Sequence, residues 1–419
     1  MPIPDVTVSP NNLSLPILHW TEDKQPRTAL WRSERGAAPP KRVVMADDTL
    51  SADSAYRQAC EGTGLLWRGD FQNARLLLQA LIRRIDKPPK ASKTAKIGRK
   101  KALAQAETGV PSGEAFHLYR QAKAQRARVL GMVLIEFAGD YAIALRRAPD
   151  AKQACIEAWG PADEASSPSV ASLRELMGII SAHEWRKKGV EISALTSSGA
   201  AVAKAAPNNR IYPHYGVFSP VRGEYVDLVA KAPLPKNRPA KFVAFDIGTG
   251  TGVLAAVLAL RDVDQVVATD QDERALTCAK ENIYKLRLPN PVKVMQADLF
   301  PEGLASVIVC NPPWLPARPG SPLEGAVYDE GSRMLLGFIK GLAAHLAPGG
   351  EGWLILSDLA EHLGLRTRAE LLAAIAAGGL KVLGRMDVKP EHPKALDASN
   401  PLAEARAKEV TSLWRLGVV

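Results

Sequence analysis

Cysteine is scarce in this chain. Only Cys60, Cys155, Cys278 and Cys310 occur in 419 residues, far apart and with no C-x-x-C spacing. That excludes a disulfide framework and a cysteine-based metal or redox pair, and it points to reduced thiols in the cytoplasm. Long apolar runs are missing too. None approaches the roughly 20 residues a membrane helix needs. Met1 to Trp20 is rich in proline and asparagine and has no charged start followed by an apolar core, so no secretory leader is expected. No internal repeat is found. At this length the chain has room for two or three domains.

Charge is unevenly distributed. Residues 1–235 hold 33 Lys/Arg and 23 Asp/Glu, whereas the remainder is balanced at 21 of each, so the whole net charge of +10 lies in the first part. A basic half of this kind suits a polyanionic partner, or is simply a soluble basic surface. The densest stretch, Arg83 to Lys101, has nine basic residues against Asp86 alone and contains Pro88 and Pro89. It reads as a mobile loop that either meets phosphates or serves as a solvated linker.

The reading along the chain gives an irregular segment over 1–50 and a basic, mixed α/β accessory domain over 51–190. A linking hairpin and helix follow over 191–230, then a regular α/β domain over 231–419. In the accessory part, helices are expected near Ser51–Cys60, Phe71–Ile85, Glu114–Leu130, Ala151–Trp159 and Ser169–Arg186. Strands are expected at Gly64–Trp67, Val133–Phe137 and Tyr141–Leu145. From residue 242 strands and helices alternate regularly, which predicts a doubly wound, mainly parallel sheet. Leu380–Val388 and Val410–Leu416 are expected to pair as the last strands.

The organising stretch is Phe242 to Ala255. A short apolar run meets glycines at 248, 250 and 252, then an Ala/Leu/Val-rich run, which reads as strand, tight turn and helix. Glycine serves where the backbone turns with positive φ and comes close to a ligand, and the helix that follows aims its unpaired N–H groups over the turn. A dinucleotide fingerprint wants G-x-G-x-x-G, but Val253 stands at the third glycine position, which disfavours a nicotinamide oxidoreductase. Asp270 ends the second strand roughly 20 residues on, the placement of a carboxylate that accepts from both ribose hydroxyls; Asp272, two residues on, is instead placed to cap the next helix.

The D-x-G-x-G-x-G pattern of Asp246, Gly248, Gly250 and Gly252 resembles motif I of the class I S-adenosylmethionine (SAM)-dependent methyltransferases. The resemblance covers about residues 210–419. It implies a seven-stranded Rossmann-like methyltransferase sheet of order 3-2-1-4-5-7-6, SAM as cofactor, and cofactor contacts from Asp246, Gly248, Thr249, Gly250 and Gly252. It further implies an acid after the third strand, Asp298, that accepts from the adenine amino group; a turn aspartate bonding its own backbone is the other reading. Leu299 or Ile283 would wall the adenine. Val217-Phe218-Ser219 is similar to the segment leading into ribosomal RNA guanine-N2 methyltransferases. Phe218, Pro220, Arg222 and Glu224 partly match that of release-factor glutamine methyltransferases. Phe218 or Tyr225 would cover the cofactor or pack in the core. The accessory half is compatible with a degenerate methyltransferase-like domain.

Asn311-Pro312-Pro313-Trp314 follows the fourth strand, at the sheet end where ligands bind. It resembles the (N/D/S)-P-P-(Y/F/W) motif of methyltransferases acting on planar nitrogen. The chemistry fits the residues. An exocyclic amine or carboxamide nitrogen has a delocalised lone pair and two N–H donors. The Asn311 side-chain oxygen and the Pro312 carbonyl accept from both, and Asn311 also borders the cofactor. The prolines stiffen the loop, and Trp314 offers a flat face for stacking. The expected function is SAM-dependent N-methylation of RNA, with ribosomal RNA the kind the Val217-Phe218-Ser219 segment suggests, although no aromatic-rich RNA-binding signature is present. The alternatives are a protein glutamine methyltransferase and a non-catalytic SAM- or RNA-binding module.

Overall fold

The computed structural model describes residues 15–87, 113–162, 167–196, 208–221, 223–236, 239–390 and 402–419. They fall into two compact units, one of residues 1–99 with 120–184 and one of 100–119 with 185–419. Among the described residues no helix is long and apolar enough to cross a membrane.

The first unit is mixed α/β. Three strands, β1 (Ile17–Glu22), β2 (Gln25–Trp31) and β3 (Arg42–Ala46), occupy the segment that composition reads as irregular. β1 and β2 form a hairpin whose two turn residues, Asp23 and Lys24, both have positive φ (50° and 61°), the turn that matches strand twist. Neither residue is a glycine or asparagine, so the turn signal is faint in the sequence. β4 (Thr63–Trp67), β5 (Val133–Phe137) and β6 (Ser169–Ser172) complete a sheet of order β1-β2-β6-β5-β4-β3. This is a different order from that of the second unit. Tyr141–Leu145 is not a strand. Asp140 accepts from Ala142 N at 3.0 Å and Tyr141 has φ 66°, so the chain turns there instead. The stretch read as one helix from Ser169 begins as β6, because Val170 and Ala171 pair with β5 before Ser172 caps the helix Leu173–Lys188.

At the carboxyl ends of β3 and β4 in this unit, charged side chains pair with one another. The buried Asp70 carboxylate takes Arg146 at 2.9 Å and Arg147 at 2.7 Å, and Arg68 pairs with Glu22 and Glu136. Most of the basic stretch Arg83–Lys101, from residue 88 on, lies outside the described residues; Arg84 pairs with Asp53.

In the second unit a two-residue pair, β7 (Val190–Glu191) with β8 (Arg210–Ile211), stands where a hairpin is expected. The main sheet comprises β9 (Val243–Ile247), β10 (Gln265–Asp270), β11 (Val292–Gln296), β12 (Ala305–Cys310), β13 (Leu346–Ser357), β14 (Leu380–Val388) and β15 (Thr411–Val418). Its order is β11-β10-β9-β12-β13-β15-β14, which is 3-2-1-4-5-7-6, with only β15 antiparallel to both its neighbours. Side chains alternate between two cores, as period-two strands buried on both faces require. Ala244, Val307 and Val309 face the helices Glu224–Lys231 and Val253–Ala259. Phe245, Ile308 and Cys310 face the helices Arg333–His345 and Arg368–Ala377.

The three turn glycines have three different surroundings. A Cβ at Gly252 (φ 82°) would lie 3.3 Å from the Ala279 backbone, so Gly252 lets the helix Val253–Ala259 pack on the helix Glu273–Leu286. A Cβ at Gly248 (φ 72°) would run into the tip of the Met334 side chain. Gly250 (φ 54°) faces open space. The left-handed conformation costs a Cβ-bearing residue about 1–2 kcal/mol. Gly252→Ala is therefore expected to lower unfolding stability by at least about 2 kcal/mol, read from a urea midpoint. Gly250→Ala should cost only about 1 kcal/mol. Equal losses at the two positions would show that packing against Ala279 does not matter.

Candidate active site

Strand register brings the motif residues together. Ile247 of β9 is paired with Thr269 of β10 on one side and with Cys310 of β12 on the other. The next residue of each strand path is Gly248, Asp270 and Asn311. These three positions stand level along the carboxyl edge of three adjacent strands, about 4.8 Å apart from one to the next. Residues 22 and 63 positions from the first glycine thus share one ledge.

Asp246 is used by the turn itself. It is fully buried, and its Oδ2 accepts from Thr249 Oγ at 2.7 Å and from Ala255 N at 2.9 Å. Gly252 occupies the N-cap position of the helix and has no side chain to offer, so a carboxylate at the end of β9 reaches over and caps it. Burial pushes this carboxyl up to about 7 in spite of those two hydrogen bonds, and its Oδ1 is buried without a partner among the described residues.

Asp270 is half-buried and presents both oxygens to the ledge. Oδ2 accepts from Gly250 N at 3.0 Å and Oδ1 from Asp272 N at 3.0 Å. Each oxygen keeps a second lone pair. Burial raises its pKa, and the backbone donors oppose that. Asp272 caps the helix Glu273–Leu286, accepting from Arg274 N at 2.8 Å. Asp298 is exposed, and its carboxylate accepts from the Gln271 side-chain amide rather than from its own backbone.

Leu299 has φ 69°, and its side chain leans on Gly337 of the helix Arg333–His345, where a Cβ would lie 2.7 Å from Leu299 Cδ1. Ile283 packs into the core on the other face of the sheet. Tyr225 is also a core residue, 4 % exposed, whereas Phe218 is 36 % exposed.

Asn311 is half-buried, and its Oδ1 accepts from the Trp314 indole N–H at 2.9 Å. The Trp314 ring packs against both cores. Beyond it, Leu315 N donates to Val327 O at 3.1 Å and Asp329 N donates to Leu315 O at 3.0 Å, so the far end of the Pro-Pro loop is tied down.

Three residues of the site have no motif to announce them. Asp329 accepts from Met334 N at 2.6 Å and so ties the Asn-Pro-Pro-Trp loop to the helix Arg333–His345. The available signal is an acid just before a helix start. Met334 lies over Gly248. Asn282, fully buried, accepts from Tyr212 N at 2.8 Å and donates to Thr251 O at 3.0 Å, joining the glycine turn to the segment before the domain. The same helix carries Glu281, which the His214 ring at 3.0 Å holds at about pKa 2. A polar residue inside a helix gives no sign from sequence of what it will meet.

Residues 208–370 match the methyltransferase small domain. Outside that match stand β7, β14, β15 and the whole first unit. A stretch of 137 residues is 37% identical to the release factor glutamine methyltransferase of Moorella thermoacetica, covering 30% of this chain and 48% of that protein. A stretch of 144 residues is 31% identical to the tRNA1(Val) (adenine(37)-N6)-methyltransferase of Pedobacter heparinus, covering 31% of this chain and 61% of that protein. The chain thus spans about half the length of the curated relatives it matches. Among solved structures, a ribosomal protein L11 methylase from Lactobacillus delbrueckii subsp. bulgaricus aligns over 52% of this chain and 90% of its own, with 17% identity and a TM-score of 0.34.

The buried acid at the end of β9 gives a pH signature. Between the ordinary value of 3.8 and about 7 the folded chain holds a proton on Asp246 that the unfolded chain has lost. Its contribution to stability is full below the lower value and disappears as pH rises through about 7. Asp246→Asn should therefore gain stability relative to the wild type between pH 5 and pH 8. Glu281 works in the opposite direction but is common to both proteins. A difference in urea midpoint that does not change with pH would contradict the assignment.

Proposed function

We propose that the chain is a SAM-dependent methyltransferase that acts on a planar nitrogen, an exocyclic amine or a carboxamide. One observation carries the reading: Asn311, Gly248 and Asp270 are level on neighbouring strands. The residues present fit the cofactor. Gly250 faces open space beside the Asp270 carboxylate, whose spare lone pairs suit two ribose hydroxyls. Phe218 is exposed enough to cover the cofactor, and Asp298 and Leu299 flank the third strand on the adenine side.

Bound there, SAM would supply a methyl group from its sulfonium, the S–CH3 bond breaking to leave a neutral thioether while the newly methylated nitrogen gives up one N–H proton to solvent. The chain's own work is positioning and electrostatics. The Asn311 oxygen and the Pro312 carbonyl accept from the two N–H groups of the acceptor, turn its lone pair out of conjugation and aim it. Pro312 and Pro313 keep that pair of acceptors stiff. Asp246 keeps the glycine turn in shape.

Asn311→Ala is expected to lower methyl transfer by at least about a hundredfold while leaving SAM affinity within about twofold. Asp270→Ala is expected to weaken SAM binding at least about tenfold, read by calorimetry. Transfer that survives loss of Asn311 would remove Asn311 from the chemistry. No transfer by the wild type, with SAM binding intact, would leave a binding module.

RNA is the favoured substrate. The excess of basic residues in the first 235 supports it, as does the likeness to a tRNA adenine methyltransferase. Protein glutamine is the second reading, favoured by the 37% identity to a release factor glutamine methyltransferase. Incubating the protein with methyl-labelled SAM and an extract of a strain lacking the gene separates them. Label removed by RNase supports RNA; label removed by protease supports glutamine.

A further inference from the structure

We propose that Trp314 is a positioning residue, which selects the orientation of the Asn311 carboxamide so that its oxygen, not its NH2, is offered to the acceptor nitrogen. The proposal rests on the reading of Asn311 given above. A carboxamide is nearly symmetric in shape and opposite in hydrogen-bond sense at its two ends. Rotated by half a turn, Asn311 would present two donors to an acceptor group that itself carries two donors. Something has to choose between the orientations.

The indole does so. Its N–H is a donor only, and it stands 2.9 Å from Asn311 Oδ1. An NH2 group in that place would oppose donor to donor. Among the described residues the indole is the carboxamide's only hydrogen-bond partner. The oxygen has two lone pairs, so the indole takes one and leaves the other. The ring itself is held. It is half-buried against both cores, it follows two prolines, and Leu315 directly after it is fastened by backbone hydrogen bonds to Val327 and Asp329. A tyrosine hydroxyl both donates and accepts and would not discriminate; a phenylalanine offers nothing.

The test is a double-mutant cycle. Trp314→Phe should lower the initial rate of transfer from tritium-labelled SAM to the accepting RNA or protein fraction of the deletion strain roughly fivefold to tenfold. SAM affinity by calorimetry should be unchanged. In an Asn311→Asp background the same change should cost less than about twofold, because a carboxylate has an oxygen at either end. Equal losses in both backgrounds would mean that Trp314 merely supports the loop, and would overturn the proposal; so would a Trp314→Phe enzyme of unchanged rate. Should Asn311→Asp be silent, the indole N–H resonance of Trp314, assigned by its absence in Trp314→Phe, decides. It should move upfield in Asn311→Ala, and a resonance that stays put overturns the proposal. A wild type that transfers no methyl overturns the underlying reading and this proposal with it, whereas an active wild type beside an equally active Trp314→Phe overturns this proposal alone.

Discussion

A buried carboxylate at the end of one strand holds the second unit's ledge in shape. Asp246 bonds across the glycine turn to Thr249 and to the first turn of the following helix. Without that tie the helix would begin on an uncapped glycine, and the backbone over Gly250 would have no fixed course. The cost is a carboxyl group taken out of water, visible in its raised pKa. Everything else at the site is referred to this turn: Asp270 through its bond from Gly250, Asn282 through its bond to Thr251, and Met334 through its contact with Gly248.

The parallel register does the rest. A parallel sheet with short, rigid crossovers brings residues distant in sequence to the same height at one edge. Asn311 needs no partner near it in sequence to find the turn; it needs only to be the first residue past β12. The loop that carries it is then fastened at its far end by Asp329, which also starts the helix over the turn. Loop and helix therefore share one anchor.

Much of this could be read before the fold was in view, and the limits have physical causes. Apolar runs with regular spacing mark the strands of the second sheet, most clearly where a strand is buried throughout, as β12 is, and their order is what the resemblance to motif I implies. The glycines and the Asn-Pro-Pro-Trp run stand out because their backbone demands are rare. Four things escaped. The strands β1 to β3 lie among prolines and charges, and the turn between β1 and β2 carries no glycine or asparagine to mark it. The turn at Tyr141 is held by backbone bonds between Ala138, Tyr141 and Ala142 and by the Asp140 carboxylate accepting from Ala142 N, none of which is written in an apolar pattern. The capping role of Asp246, whose Oδ2 holds the turn, becomes apparent only when the cap it replaces is known to be missing. Met334 and Asn282 sit on ordinary helices, and what they touch is decided in three dimensions.

The side chain above Gly248 is an unbranched thioether, and that choice has a consequence for how the ledge tolerates what lies beneath it. A β-branched residue on the helix Arg333–His345 would present a stiff ceiling with one permitted rotamer. Methionine has three rotatable bonds and a polarisable tip. The roof over the first glycine is compliant: it can fold aside without any shift of the helix axis, so clearance at that corner is adjusted by torsion and not by domain movement.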